Sequence, residues 1–156
     1  FGGNPDRIFI TGHSAGGHLA ALATMNPSYL KDSVSVKGII LNDAAGLDMY
    51  SYLQENPPTS ANHYLTTWGK NQQNWLQASP INYIDENTPP MMIYLGTKTI
   101  PSVFKYNELF LIELNEVQPD VKPILQDRKH KTMVIQYFWK WSNRFKEIKA
   151  FMKAQQ

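Results

Sequence analysis

The sequence predicts a three-layer α/β/α fold built on a mostly parallel sheet. Short, continuous apolar runs, typical of strands buried on both faces, alternate along the chain with stretches of helical apolar spacing. A chain of 156 residues, 42% of them apolar, is long enough for one domain with a packed core. Because strands that alternate with helices favour parallel sheets joined by right-handed crossovers, we expect a single domain over residues 1–156.

Three apolar runs predict buried strands, at residues 7–12, 36–42 and 91–96. Their apolar residues follow one another directly instead of alternating with polar residues, which indicates burial on both faces of a sheet. Residues 121–126 are a weaker candidate. Pro123 within them suits an edge strand, since proline cannot donate to a neighbouring strand.

Helices are predicted between and after these strands. Small helix-forming residues follow Ser14 as far as Asn26 and Pro27, and the apolar positions of residues 102–117 keep helical spacing. Near the C-terminus, apolar residues that step by three and four predict one buried helical face, formed by Phe138, Trp141, Phe145, Ile148 and Met152.

Residues 47–88 interrupt the alternation of strands and helices. They are rich in Asn and Gln and carry six aromatic residues, which are Tyr50, Tyr52, Tyr64, Trp68, Trp75 and Tyr83. A connection of this length between two strands is usually a lid over a site or a structural excursion. We interpret it as a lid-like insertion with short helices.

Composition and charge exclude several classes of protein. Fifteen Lys and Arg against thirteen Asp and Glu leave a net charge of +2, too balanced for a nucleic-acid partner. No apolar run approaches the ~20 residues that span a bilayer. The lack of cysteine excludes disulfides, zinc–thiolate sites and thiol nucleophiles. No phosphate-binding loop occurs, and His13 and His18 lack paired carboxylates nearby, so we predict neither a metal nor a cofactor.

The clearest chemical signal is Gly-His-Ser-Ala-Gly-Gly at residues 12–17, between the first strand and the first helix. A serine hydroxyl is a poor nucleophile unless a sharp, strained turn presents it to a base. Gly12 and Gly16 would relieve the crowding in such a turn, because they have no side chain. The amide of Ala15 would then face the developing oxyanion. A plainer interpretation makes Ser14 a helix N-cap in a glycine-rich turn.

Residues 4–8, Asn-Pro-Asp-Arg-Ile, and the run Gly-His-Ser-Ala-Gly-Gly-His-Leu-Ala at 12–20 resemble the α/β-hydrolase superfamily. Within it, they are most similar to carboxylesterases related to hormone-sensitive lipase and to feruloyl- and acetyl-esterase-like enzymes. The resemblance covers most of the chain. It implies the α/β-hydrolase fold, with Ser14 as nucleophile of an esterase that cleaves a small-molecule ester through an acyl-enzyme intermediate.

Four histidines are candidates for the base that takes the proton of Ser14. His13 adjoins the serine on a strand and is expected to point away from it, His18 lies one turn into the helix, and His63 lies in the insertion. His130 follows the last candidate strand, where the resemblance places the catalytic histidine, and the order Ser, Asp, His is that of these hydrolases. We predict His130 as the base, against the alternative of a solvated loop residue.

The third predicted site residue is a carboxylate that orients the histidine. The resemblance usually places it in a Gly-x-x-Asp pattern after the penultimate strand, but residues 96–99 read Gly-Thr-Lys-Thr. Asp43 follows the second strand directly, where some lipases of the superfamily have their acid, and Asp48 can reach back from the insertion. We rank Asp43 first and Asp48 second, with an Asx turn and a helix N-cap as their structural alternatives. A third option is that no carboxylate orients His130.

The resemblance also implies parts that residues 1–156 do not supply. Relatives contribute further oxyanion donors from a glycine-rich loop after an early strand, so we expect an N-terminal portion of the domain to be missing. The strand at 7–12 would then expose an apolar edge. We expect the 156 residues alone to be unstable or oligomeric, and poor catalysts, since one lost oxyanion donor costs about 10²- to 10³-fold in rate.

Two other functions fit the same residues. An amidase or formamidase-type serine hydrolase would share the Gly-His-Ser-Ala-Gly turn and differ in the bond that it cleaves. A non-catalytic α/β-hydrolase-like domain that binds a ligand or partner is favoured by Thr99 at the usual acid position. The presence of both Ser14 and His130 argues against that last function.

Overall fold

Four parallel strands form one sheet in a computed structural model, which describes residues 2–30, 34–139 and 141–155. In chain order and in sheet order they are β1 (Ile8–His13), β2 (Val36–Asn42), β3 (Met91–Gly96) and β4 (Ile124–Gln126). The predicted strands are confirmed, with β1 shifted by one residue and β4 shorter than expected. The predicted burial of β1 on both faces is wrong, since each of its residues is half-buried or exposed. β4 lies at an edge of the sheet, as Pro123 predicts.

Helices connect and follow the strands. The two predicted between strands are α1 (Ala15–Met25), after β1, and α5 (Pro101–Val117), after β3. Residues 47–88 form the expected short helices: α2 (Met49–Glu55), α3 (Tyr64–Trp68), α4 (Gln72–Gln77) and a 3₁₀ turn (Pro80–Tyr83). After β4 come α6 (His130–Ile135), a 3₁₀ turn (Gln136–Phe138) and α7 (Arg144–Ala154). In the described part of the chain, no helix is both long enough and apolar enough to span a membrane.

The sheet is covered on both faces, which produces the predicted three layers. Successive β2 residues point to opposite faces, as the pleat requires. Ile39 and Leu41 pack in one cluster with residues of α1 and α5, whereas Ile40 packs in the other with Met133 of α6. All three β2 residues are at most 2% exposed. Burial on both faces explains why β2 reads as an uninterrupted apolar run.

The predicted buried face of the C-terminal helix is confirmed only in part, since Ile148 packs against the core but three of the five predicted residues are exposed. Phe138 and Trp141 are 79% and 86% exposed and precede α7, and Phe145 is 44% exposed. The physical reason is Arg144, which is only 1% exposed. Its guanidinium lies 3.5 Å from the centre of the Tyr94 ring and donates a 3.0 Å hydrogen bond from Nη1 to Asn42 Oδ1.

The side of α7 that faces the sheet therefore includes Arg144 and Phe151, which the prediction omits, together with the predicted Ile148. Ile148 and Phe151, which follow Arg144 at helical spacing, pack against the cluster on that side of the sheet. The Phe151 ring also contacts Phe9 of β1 edge-on, with 6.3 Å between ring centres. Within the described residues β1 pairs with β2 alone, so it forms the second edge of the sheet.

Candidate active site

The carboxyl ends of β1, β2 and β3 meet at one edge of the sheet. His13 pairs with Asn42, and Asn42 pairs with Tyr94, so these three residues lie side by side. The residues that follow β1 and β2 are Ser14 and Asp43, which therefore emerge as neighbours. In open α/β sheets, ligands bind in the crevice outside the carboxyl ends of the strands.

Ser14 sits in a strained turn between β1 and α1. Its φ of 54° and ψ of −125° lie outside the backbone regions that residues with a side chain favour. The strained turn that the sequence predicts is therefore present. A Cβ on Gly12 would lie 2.1 Å from the Gly16 carbonyl oxygen, so this position accepts only glycine. The expectation for Gly16 is wrong, since a Cβ there would meet nothing within 4 Å among the described residues. The second crowded glycine is Gly17, whose Cβ would lie 2.6 Å from that of Ala44.

Replacing Gly12 by alanine is expected to destabilise the fold by about 3 kcal/mol, because the new methyl group would collide with backbone atoms that cannot move aside. Gly16→Ala is the matched control in the same turn, and its thermal unfolding midpoint should stay near that of the wild type. Differential scanning fluorimetry of both variants measures the difference. Equal midpoints for the two would contradict this account of the turn.

His130 lies between Ser14 and Asp43, although 116 positions separate it from the serine in sequence. As the first residue of α6, it brings its ring to the edge of the sheet where β1 and β2 end. Its Nε2 is 2.8 Å from Ser14 Oγ, and its Nδ1 is 2.6 Å from Asp43 Oδ2. Because a carboxylate only accepts hydrogen bonds, Nδ1–H donates to Asp43 and Nε2 is free to accept from the serine hydroxyl.

The Asp43 carboxylate is fully buried, at 0% exposure. Its Oδ1 accepts a 2.9 Å hydrogen bond from the Gly96 amide, and its Oδ2 accepts from the Thr99 hydroxyl as well as from His130. The backbone of Asp43 has a positive φ of 52°, rare for a residue with a side chain, and its amide donates to the Tyr94 carbonyl at 2.8 Å. The carboxylate is thus surrounded by donors, as a buried charge requires.

Asp48, the second candidate acid, is a helix cap. Its Oδ1 accepts a 2.9 Å hydrogen bond from the Ser51 amide at the start of α2. Within the described part of the chain, no hydrogen bond joins it to His130. His63 lies at the N-cap of α3 and is exposed.

The structure differs from expectation at His13, which does not point away from the site. Its ring lies against that of His130, with 4.8 Å between ring centres, and its Nε2–H donates to the His130 carbonyl oxygen at 3.0 Å. Burial lowers the pKa of His13, although the hydrogen bond to His130 opposes this effect. Strand alternation predicts the opposite direction, but it does not extend to Ser14, whose φ of 54° ends the regular strand.

A pocket of about 360 Å³ opens beside Ser14. Three of the six aromatic residues of the insertion, Tyr52, Tyr64 and Trp68, form one wall, and α5 adds Tyr106. The Tyr52 and Tyr64 hydroxyls lie 3.1 Å apart, and burial together with this hydrogen bond raises the pKa of Tyr52 to about 12. The lining residues are Ser14, Ala15, His18, Ala45, Gly46, Met49, Tyr52, Tyr64, Trp68, Ile100, Ser102, Val103, Tyr106 and His130.

His18 joins α1 to the insertion at the side of this pocket. Its Nε2–H donates to the Ala78 carbonyl oxygen at 2.7 Å, and its ring meets Trp68 edge-on. Burial lowers the pKa of His18, and the hydrogen bond to Ala78 offsets part of that shift. Folding therefore favours the neutral form of His18, and this ring binds a proton more readily in the unfolded chain.

Stability is expected to depend on pH through His18. Because its pKa is lower in the folded state, its contribution is complete above the unfolded value of about 6.5 and is lost as pH falls below it. In His18→Asn, the unfolding midpoint should fall less between pH 7.5 and 5.5 than in the wild type. Thermal melts at both pH values measure this, and equal losses in the two proteins would refute it.

Metal ligation is limited by the hydrogen bonds at this edge of the sheet. His13, Asp43 and His130 offer ligand atoms that lie within 4.8 Å of one another in the described residues. The ring nitrogens involved already bond to a carbonyl, a hydroxyl or the carboxylate. A metal ion would have to displace these bonds, so a metal-free site stays our prediction.

The sequence matches one protein family and one curated relative. The model of the BD-FAE family matches residues 1–104. The probable carboxylic ester hydrolase LipM of Mycobacterium tuberculosis is 29% identical over 107 residues, which are 62% of this chain and 25% of LipM. The chain therefore spans about a quarter of that curated relative.

Solved structures show the same fold at lower identity. The C6-C4 SN3-inhibited esterase B from Lactobacillus rhamnosis superposes with a TM-score of 0.70 at 19% identity, over 97% of this chain and 54% of its own. The acylaminoacyl peptidase of Pyrococcus horikoshii superposes with a TM-score of 0.62 at 19% identity, over 96% of this chain and 24% of its own. Since the BD-FAE match covers well over half of the residues, the chain belongs to the BD-FAE family.

Proposed function

We propose that the protein is a serine hydrolase that cleaves carboxylic esters through an acyl-enzyme intermediate on Ser14. The observation that carries the proposal is the continuous hydrogen-bonded chain from Ser14 Oγ through His130 to Asp43, with distances of 2.8 and 2.6 Å. The resemblance to LipM, named a probable carboxylic ester hydrolase, supports the choice of an ester as the substrate.

The proposed reaction has two halves. Ser14 Oγ attacks the ester carbonyl carbon while His130 Nε2 takes the hydroxyl proton, and the resulting tetrahedral intermediate collapses when His130 returns that proton to the leaving alcohol. Water then attacks the acyl group on Ser14 in the same way, which releases the carboxylic acid and restores the serine. Asp43 keeps the proton on Nδ1 and stabilises the imidazolium that forms in each half.

Ala15 is the proposed oxyanion donor. It is the first residue of α1 and lines the same pocket as Ser14. Its amide lies at the helix end where partial positive charge collects, which favours an oxyanion. We further propose that residues 47–88 act as a lid, because Tyr52, Tyr64 and Trp68 form a wall of the pocket where the acyl or alcohol group would lie.

Among the described residues that line the pocket, none is Lys, Arg, Asp or Glu. Burial raises the pKa of Tyr106 as well as that of Tyr52, so both of these phenols stay neutral at physiological pH. A neutral, apolar substituent on the ester is therefore preferred over a charged one, which would lose its hydration without gaining a partner.

The acyl-enzyme can be observed directly. The full-length protein is mixed with a p-nitrophenyl ester of a short fatty acid, quenched in acid within the first turnovers and digested for peptide mass analysis. The acyl group should be found on the peptide that carries Ser14. The matched p-nitroanilide and formanilide separate an esterase from an amidase, and faster turnover of either amide would favour the amidase. Ester turnover without any acylated Ser14 peptide would contradict the proposed mechanism.

A further inference from the structure

Thr99 lies in the turn between β3 and α5, beside the pair formed by Asp43 and His130. Its hydroxyl donates to Asp43 Oδ2, the oxygen that also accepts from His130 Nδ1, and Thr99 Oγ1 is 3.3 Å from that nitrogen. The Thr99 amide donates to the Gly96 carbonyl at 3.3 Å, which closes the turn and sets the position of the side chain. Gly96 in turn donates its amide to Asp43 Oδ1 at 2.9 Å.

On this geometry, and resting on the function proposed above, we propose that Thr99 is a positioning residue. Its hydroxyl holds the Asp43 carboxylate in the orientation in which Oδ2 faces His130. Rotation of a carboxylate about its last bond is soft, with broad energy wells, so hydrogen bonds set the plane of the group. The Gly96 amide holds one oxygen, and Thr99 and His130 together hold the other.

The position of Asp43 makes this support necessary. Its backbone has a positive φ of 52° and lies beyond the end of β2, so its side chain does not follow the alternation of the strand. The carboxylate is also fully buried, and no water replaces a lost donor without opening the site. Without the Thr99 hydroxyl, Oδ2 would keep only the bond to His130, and the carboxylate could turn away from the imidazole.

The alternative role for Thr99 is packing by its methyl group, which two variants distinguish. Thr99→Val keeps the shape of the side chain and removes the hydroxyl, whereas Thr99→Ser keeps the hydroxyl and removes the methyl. Thr97→Val is the matched control in the same turn, since Thr97 is exposed and bonds to Gln126 and Asp127 instead.

The experiment measures kcat and KM of the full-length protein for a p-nitrophenyl ester. Thr99→Val should lower kcat by about 10- to 100-fold, the effect of one hydrogen bond to a charged group, with KM within about twofold of the wild type. Thr99→Ser and Thr97→Val should keep kcat near the wild-type value. If Thr99→Val does not fold, kcat and KM are measured for Thr99→Ala instead, which also removes the hydroxyl and has a smaller side chain.

A second measurement is independent of turnover. The proton on His130 Nδ1 should give a low-field NMR resonance in the wild type and in Thr99→Ser, and that resonance should move or broaden in Thr99→Val. Wild-type kcat in Thr99→Val, equal losses in the serine and valine variants, or an unmoved resonance would each overturn the role of Thr99. Ester turnover that survives in Ser14→Ala would instead overturn the proposed function, so the two failures are distinguishable.

Discussion

Replacing His130 by glutamine is expected to lower kcat for ester hydrolysis by about 10⁶-fold, because a serine without its base is no better a nucleophile than an ordinary alcohol. Glutamine is close to histidine in size and polar, but its amide cannot take the proton that Ser14 Oγ now shares with Nε2 across 2.8 Å. KM should change far less than kcat. Steady-state kinetics with a chromogenic ester measures both constants.

His63→Gln is the matched control for this variant. His63 is exposed and precedes α3. Its replacement leaves the hydrogen bonds of His130 to Ser14 and Asp43 in place and should leave kcat near the wild-type value. If both histidine variants kept most of the wild-type kcat, the base would have to be another group.

Replacing Asp43 by asparagine is expected to lower kcat by about 10⁴-fold. The asparagine amide can donate to His130 Nδ1, which moves the ring proton to Nε2 and prevents that nitrogen from accepting the serine proton. Asp43 is fully buried and does not line the pocket, so KM should remain close to the wild-type value. The same steady-state assay separates the two constants.

Asp48→Asn is the matched control for this prediction and tests the competing acid. Asparagine caps a helix about as well as aspartate, so the bond from the Ser51 amide to residue 48 should survive, and stability and kcat should change little. A large loss of kcat in Asp48→Asn, with Asp43→Asn near the wild type, would transfer the role of the acid to Asp48.

The two central strands could be predicted because they are buried on both faces. β2 and β3 have the bounds that the sequence indicates, since each apolar run begins and ends where the chain enters and leaves the core. The C-terminal helix could not be placed in the same way. Its register depends on Arg144, a residue type that is almost never fully buried unless it has specific partners. Those partners, Tyr94 and Asn42, lie 50 and 102 positions away in sequence.

The candidate site could be predicted in part for similar physical reasons. The strained turn at Ser14 is indicated by Gly12, a position that accepts only glycine, whereas Gly16 is not crowded. Asp43 could be ranked above Asp48 because the residue after a strand emerges at the edge of the sheet, whereas the role of Thr99 depends on a contact made across 56 positions. The direction of His13 could not be predicted from strand alternation, because the regular strand ends at Ser14, which has a φ of 54°.

Labelling of Ser14 by a fluorophosphonate tests the central claim most directly, since such probes react with a serine only when a base has activated it. Incubation of the full-length protein should add one phosphonyl group, located by peptide mass analysis on Ser14. Ser102→Ala, which removes another serine of the same pocket, should label like the wild type, and Ser14→Ala should not label at all. Undiminished labelling of Ser14→Ala would contradict the account.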